Sequence, residues 1–94
     1  MLVQDPKDPF LNYALSLELA KKNDLQDAIS ILEKLIEQDP DYLAAYYQLG
    51  KNCEAIAEKQ KAILIYQRGI AIARKQNNTK TMNELMEACQ LLEE

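Results

Sequence analysis

The hydrophobic residues along the chain have the spacing of helices. After the polar pair Asn23-Asp24, apolar side chains recur at three- and four-residue intervals, at Leu25, Ala28, Ile29, Leu32 and Ile36. A period of about 3.6 residues places such side chains on one face of a helix. The chain contains only two glycines and three prolines, so little interrupts its helices. The pattern predicts an all-α fold of five helices.

Residues that begin and end helices divide the first part of the chain. Asp8 is expected to cap a helix over residues 9–22, because a proline follows it at the first helical position. The pair Asn23-Asp24 supplies a residue that tolerates left-handed backbone and then a second cap. Asp39-Pro40 ends the second helix, and Asp41 is expected to cap the third. These signals predict antiparallel helix-turn-helix hairpins.

The first two hairpins repeat each other at a distance of 34 residues. A shift by that distance aligns seven identical residues in one register: Tyr13 with Tyr47, Leu15 with Leu49, Gln26 with Gln60, Ala28 with Ala62, and Ile29, Ile31 and Ile36 with Ile63, Ile65 and Ile70. A helix-turn-helix unit of this length resembles the tetratricopeptide repeat. That family's order of large and small residues recurs at Leu15-Ser16, Leu19, Ala28, Leu32 and Pro40, and at Tyr46, Leu49-Gly50, Cys53, Ala62, Tyr66 and Gly69.

The resemblance implies a single domain, 1–94, that contains two repeats, at 9–42 and 43–76. The chain departs from the family pattern at Asn12, Leu35 and Arg74, where the family prefers tryptophan, alanine and proline. Its third turn reads Ile56-Ala57-Glu58 in place of the family's Gly-Asp, so a continuous helix there is the alternative to a turn.

Glycine inside a helix costs about 1 kcal/mol relative to alanine, so the two glycines require a reason. Gly50 and Gly69 both fall within helical patterns. We expect them to let neighbouring helices approach closely, while Leu32 and Tyr66 fill the space beside the small residues of the two hairpins.

Residues 79–94 are expected to form a further amphipathic helix. A shift of 36 residues aligns Met82, Leu85, Met86 and Cys89 with Tyr46, Leu49, Gly50 and Cys53. In this register Met86 takes the place of Gly50, as suits a last helix with no second helix pressed against it. Thr81 and Glu84 have the spacing of a capping box. We expect this helix to cap the end of the stack.

Charge and composition exclude several classes of function. Eleven Lys and Arg residues against fifteen Asp and Glu residues give a net charge of −4, which would repel nucleic acid. The chain has no histidine, and Cys53 and Cys89 are expected to be small core residues. We therefore expect no catalytic residue, no metal site and no cofactor. Without a signal segment or a long apolar run, we expect a cytoplasmic protein that does not enter membranes.

The first helix is apolar on two faces, and a hairpin needs only one. One face carries Leu11, Leu15 and Leu19, and the other carries Phe10, Tyr13, Leu17 and Ala20. In the family that the chain resembles, the second face belongs to a concave surface that binds peptides. The resemblance thus implies a non-catalytic scaffold that binds a protein or peptide through Phe10, Tyr13, Leu17, Tyr47, Lys51 and Glu54. The family's variant that clamps free carboxylates is not expected, because its Lys, Asn and Arg side chains are not reproduced.

Two other roles remain open for the face with Phe10, Tyr13 and Leu17. It could pack against the N-terminal segment, residues 1–7. It could instead form a homodimer, because two repeats are fewer than the three or more that usually make a stable array. Partner binding and self-association are therefore rival hypotheses for the same face.

Overall fold

The structure is a computed structural model that describes residues 8–94. This part of the chain folds into five α-helices and contains no strand. The helices are α1 (Pro9–Lys21), α2 (Leu25–Gln38), α3 (Leu43–Ala55), α4 (Lys59–Lys75) and α5 (Thr79–Glu93). The prediction of an all-α fold with five helices is confirmed. Packing of the face with Phe10, Tyr13 and Leu17 against residues 1–7 falls outside the described residues.

The first helix begins as its sequence predicts. The Oδ1 atom of Asp8 accepts the backbone N–H of Phe10 at 2.9 Å and that of Leu11 at 3.4 Å. These bonds satisfy amide groups that have no partner within the helix. Asp24 also stands immediately before its helix, but its side chain makes no capping hydrogen bond. Asp24 therefore lies at the predicted capping position, but its side chain does not act as a cap.

Asp41 does not cap the third helix, contrary to the sequence prediction. The residue immediately before α3 is Tyr42, one position later. Asp41 instead holds the end of α4, because its carboxylate lies 3.0 Å from the Nζ of Lys75 and its carbonyl accepts the Gln76 side-chain amide at 2.7 Å. A contact over 34 residues of sequence therefore takes the place of the local cap.

The capping box predicted for the last helix is also wrong. Asn78 is the capping residue of α5, and its side chain accepts the backbone N–H of Thr81 at 3.1 Å. Thr81 thus lies inside the first turn of the helix, two residues past its start. The short Asn side chain reaches the free amide from outside the helix, as favoured capping residues do.

Three of the four turns share one backbone geometry. Each has a residue with positive φ, at Asn23 (64°), Ala57 (65°) and Asn77 (57°). The amide of the next residue bonds a carbonyl five positions earlier, at 2.8 to 2.9 Å, which is the longer bond of a Schellman motif. A turn therefore forms at Ile56-Ala57-Glu58 and no continuous helix runs through it, although alanine is poorly suited to this backbone region.

The helices pack in sequence order, α1 on α2, α2 on α3, α3 on α4 and α4 on α5. The residues that they bury most completely include Leu32, Leu35, Tyr46, Leu49, Tyr66 and Leu85. Cys53 and Cys89 are buried and free, and burial raises the pKa of both thiols. They are apolar core residues, as the sequence predicts.

Both glycines mark close contacts between helices. A Cβ atom added to Gly50 would overlap the ring of Tyr66 in α4. One added to Gly69 would lie 2.8 Å from the Cβ of Tyr46 and 3.0 Å from Leu85. Only a residue without a side chain fits at these two points. This explains why glycine stands inside α3 and α4 although it is a poor helix former.

Candidate functional site

One side of α1 forms an apolar surface. Phe10 in its first turn is 66% exposed. Leu17, seven residues later on the same side of the helix, lines an open groove whose other walls come from α1 and from Gln48 of α3. The other α1 residues of the groove are Ala14, Glu18, Ala20 and Lys21. The groove is therefore mainly apolar, with charge at one edge.

Tyr13 lies on the same helix but is partly covered. Its ring centroid is 5.6 Å from that of Tyr42, at an angle of 51°. Burial raises the pKa of Tyr13. The pair links the first turns of α1 to the residue before α3, so Tyr13 supports this surface as well as contributing to it.

Ser16 is the buried residue of α1. Ser16 is fully buried, and its hydroxyl donates to the carbonyl of Tyr13 at 2.6 Å. The helix turns this narrow side toward its neighbours. Leu15, the residue before Ser16, is 48% exposed.

The three predicted site residues of α3 lie together. The Nζ of Lys51 is 5.5 Å from the ring centroid of Tyr47 and 4.0 Å from Oε2 of Glu54. Their spacing of four and three residues places them on one side of the helix. A cation, an aromatic ring and a carboxylate thus form a compact cluster on α3.

Tyr66 of α4 contacts two members of this cluster. Its hydroxyl donates a hydrogen bond to Glu54, and its ring centroid lies 6.3 Å from that of Tyr47. Burial, followed by the bond to Glu54, raises the pKa of Tyr66, so the hydroxyl keeps its proton. The sequence predicts Tyr66 only as a spacer beside Gly50. The orientation of its hydroxyl depends on how α4 is rotated relative to α3. The spacing of residues along the sequence does not specify this rotation.

Gln48 is a second residue that the sequence analysis missed. It lines the groove beside Leu17, and its Nε2 donates to the Oδ1 of Asn52 at 3.2 Å. Within residues 8–94, no hydrogen bond, ion pair or ring contact joins Phe10 or Leu17 to the cluster of Tyr47, Lys51 and Glu54. Gln48 lies on the groove wall and directly follows Tyr47 of the cluster in sequence. Its four-residue spacing from Asn52 was the available signal.

The described residues contain little that suggests other chemistry. Among residues 8–94, no group of three or more histidine, cysteine or acidic side chains is arranged to hold a metal ion. None of the five helices is long and apolar enough to cross a membrane.

The chain is similar to known helical repeat proteins. The profile of the tetratricopeptide repeat family matches residues 19–82. A solution NMR structure of a tetratricopeptide repeat domain protein from Salinibacter ruber is 40% identical, with a TM-score of 0.90 over 96% of this chain and 91% of that one. A crystal structure of a domain of that kind from the same organism is also 40% identical, with a TM-score of 0.86 over 92% of this chain and 97% of the other. No curated protein sequence matches. The chain belongs to the tetratricopeptide repeat family.

Proposed function

We propose that this protein is a non-catalytic scaffold that binds a peptide or a protein partner through one face of α1 and α3. Members of its family are in general protein-interaction modules. The site consists of the predicted residues Phe10, Tyr13, Leu17, Tyr47, Lys51 and Glu54, with Gln48 added by its place on the groove wall.

The observation that carries this proposal is the open apolar groove at Leu17 beside the exposed ring of Phe10. Apolar surface that stays in contact with water on a folded domain is often a binding site. An apolar side chain of a partner would bury Leu17 and the methyl groups of Ala14 and Ala20. Such anchors supply most of the affinity of a typical interface.

The cluster on α3 would determine which polar groups the partner carries. Glu54 receives a hydrogen bond from a buried tyrosine, so its carboxylate is held before a partner arrives. Lys51 lies over Tyr47 and beside Glu54, and a partner group must therefore complement both charges. Side chains that are already ordered lose little entropy on binding.

The same proposal includes a cytoplasmic protein that works without cofactor or metal. Both cysteines are free and buried, as suits a reducing compartment.

A homodimer formed by the α1 face is the second candidate. It is favoured by the exposure of Phe10 and Leu15 on two sides of the same helix. A second copy of α1 would cover this surface without any other partner.

Peptides selected from a random library against the purified protein would test the first candidate. Phe10→Ala and Leu17→Ala should each lower the affinity for a selected peptide by about tenfold. Fluorescence anisotropy with the labelled peptide measures this affinity. Leu64→Ala is the matched control, because Leu64 has similar exposure and lies on α4. Unchanged affinity of both α1 variants would refute the proposal. If light scattering shows a dimer that Leu17→Glu makes monomeric, the second candidate replaces it.

A further inference from the structure

The carboxylate of Glu54 is held in one position by the core. Its Oε2 atom accepts a hydrogen bond from the hydroxyl of Tyr66, which is fully buried. The side chain of Glu54 is nevertheless 28% exposed, so part of it still faces water. A group from outside the chain can therefore reach a carboxylate that is already oriented.

An aromatic ring and this carboxylate share one cation. The Nζ of Lys51 is 5.5 Å from the ring centroid of Tyr47 and 4.0 Å from Oε2 of Glu54. The face of an aromatic ring attracts positive charge, as a carboxylate does. We call Tyr47 and Glu54 the cation site. The ammonium group of Lys51 shows where a cation lies in it.

Lys51 is held only weakly in this site. Its distance from Glu54 is longer than the roughly 2.7 to 2.9 Å of a charge-assisted hydrogen bond. The pair is separated by three residues on one helix, and the Lys51 side chain is 44% exposed. Exposed pairs of this kind contribute little to stability. Lys51 can therefore leave at little cost, whereas Tyr66 keeps Glu54 in place.

The first repeat has no equivalent of this site. The 34-residue shift aligns Lys51 with Leu17 and Glu54 with Ala20, both of which line the groove of α1. At the corresponding positions, α1 thus offers a partner apolar side chains, and α3 offers it a ring and a carboxylate. The fixed part of the α3 cluster is negative, and its one cation is the part that can move.

We propose that the cation site binds an arginine or lysine side chain of the partner, which takes the place of Lys51. The partner's charged group lies over the Tyr47 ring and donates to Glu54, whose Oε1 atom takes no part in the hydrogen bond from Tyr66. The displaced Lys51 turns its ammonium group to water or to an acidic group of the partner. The cation site belongs to the proposed binding face, so this exchange rests on the function proposed above.

NMR titration with a small probe tests the cation site by itself. Acetyl-argininamide should shift the amide signals around Glu54, and its neutral analogue acetyl-citrullinamide should bind at least about fivefold more weakly. Glu54→Gln should lower the affinity for acetyl-argininamide about tenfold. Glutamine can still accept the Tyr66 hydrogen bond, so this variant removes the charge alone. No detectable binding of acetyl-argininamide overturns the proposal, as does equal affinity for the two probes or for the two proteins.

A second variant tests the exchange with Lys51. Lys51→Met should raise the affinity for acetyl-argininamide about threefold, because methionine keeps an apolar stem and removes the competing ammonium group. Lys34→Met and Glu37→Gln on α2 are the matched controls for a change in net charge, and both should leave the affinity unchanged. If Lys51→Met has no effect, or if Lys34→Met raises the affinity equally, Lys51 is not displaced and the proposal is wrong.

Peptides selected from the library separate this proposal from the proposed function. If they lose affinity in Phe10→Ala but carry no basic residue and bind Glu54→Gln normally, the groove binds partners and the cation site does not. If acetyl-argininamide binds at Glu54 while no selected peptide depends on Phe10 or Leu17, the cation site is correct and the function proposed for α1 is wrong.

Discussion

The hydroxyl of Tyr66 in α4 donates a hydrogen bond to Oε2 of Glu54 in α3. The tyrosine is fully buried, whereas the Glu54 side chain is partly exposed and lies 4.0 Å from Lys51. A core residue therefore orients a carboxylate at the surface. This bond connects the packing of α4 on α3 to the candidate binding site.

Tyr66→Phe should lower the free energy of unfolding by about 1 kcal/mol at pH 7, because Glu54 loses a buried donor. The difference from wild type should shrink as the pH rises above 10. Burial raises the pKa of Tyr66 above its ordinary value of 10.0, so above pH 10 the unfolded chain releases this proton and the folded chain retains it. That stabilisation is complete below pH 10 and falls by about 1.4 kcal/mol per pH unit above it.

Chemical denaturation of both proteins between pH 7 and pH 11 measures this effect. The phenylalanine variant lacks the titrating group, so its stability should fall less steeply at alkaline pH. A constant difference between the two curves would show that the proton of Tyr66 does not contribute.

Gly50→Ala should destabilise the protein by about 1 to 3 kcal/mol, although alanine is the better helix former. The added methyl group would overlap the Tyr66 ring. Thermal or urea unfolding measures the loss. In a Tyr66→Leu background the same substitution should cost less, because the ring is gone. Equal losses in the two backgrounds would mean that Gly50 is needed for another reason.

The elements that the sequence predicts correctly depend on local spacing. Helix bounds, the left-handed residue Asn23 and the small residues at Gly50 and Gly69 all follow from periodicity and side-chain size. The predicted cap at Asp41 fails because a shift of one residue changes which group faces the helix end. Its actual contacts, with Lys75 and Gln76, depend on how two helices meet.

The sequence likewise predicts only part of the candidate site. The spacing of Tyr47, Lys51 and Glu54 predicts one side of one helix, and the three side chains do lie together. It does not predict that Tyr42 partly covers Tyr13, or that Gln48 reaches the groove. Those contacts are set by the angle between helices, which a pattern along a single chain does not specify.

Ala57→Gly should raise the free energy of unfolding by about 0.5 to 1 kcal/mol. Ala57 has a φ of 65°, a left-handed conformation that costs a residue with a Cβ and suits glycine. Urea denaturation of the variant measures the gain. Ala55→Gly, two residues earlier in the last turn of α3, is the matched control and should lose up to about 1 kcal/mol. If glycine lowers the free energy of unfolding at both positions, the backbone of Ala57 is not strained.

Asn52→Leu should raise the stability by about 1 kcal/mol, because Asn52 buries an amide that is only half satisfied. Its Oδ1 accepts from Gln48, but within residues 8–94 its Nδ2 has no hydrogen-bond partner. Leucine has a similar volume and no polar atom, and Gln48, at the groove wall, can turn its amide to water. Asn52→Ala is the control, and it should destabilise because it leaves a cavity. Urea denaturation compares the three proteins. If Asn52→Leu and Asn52→Ala lower the free energy of unfolding equally, the buried amide is stabilising. The Asn52 side chain is then part of a satisfied polar network.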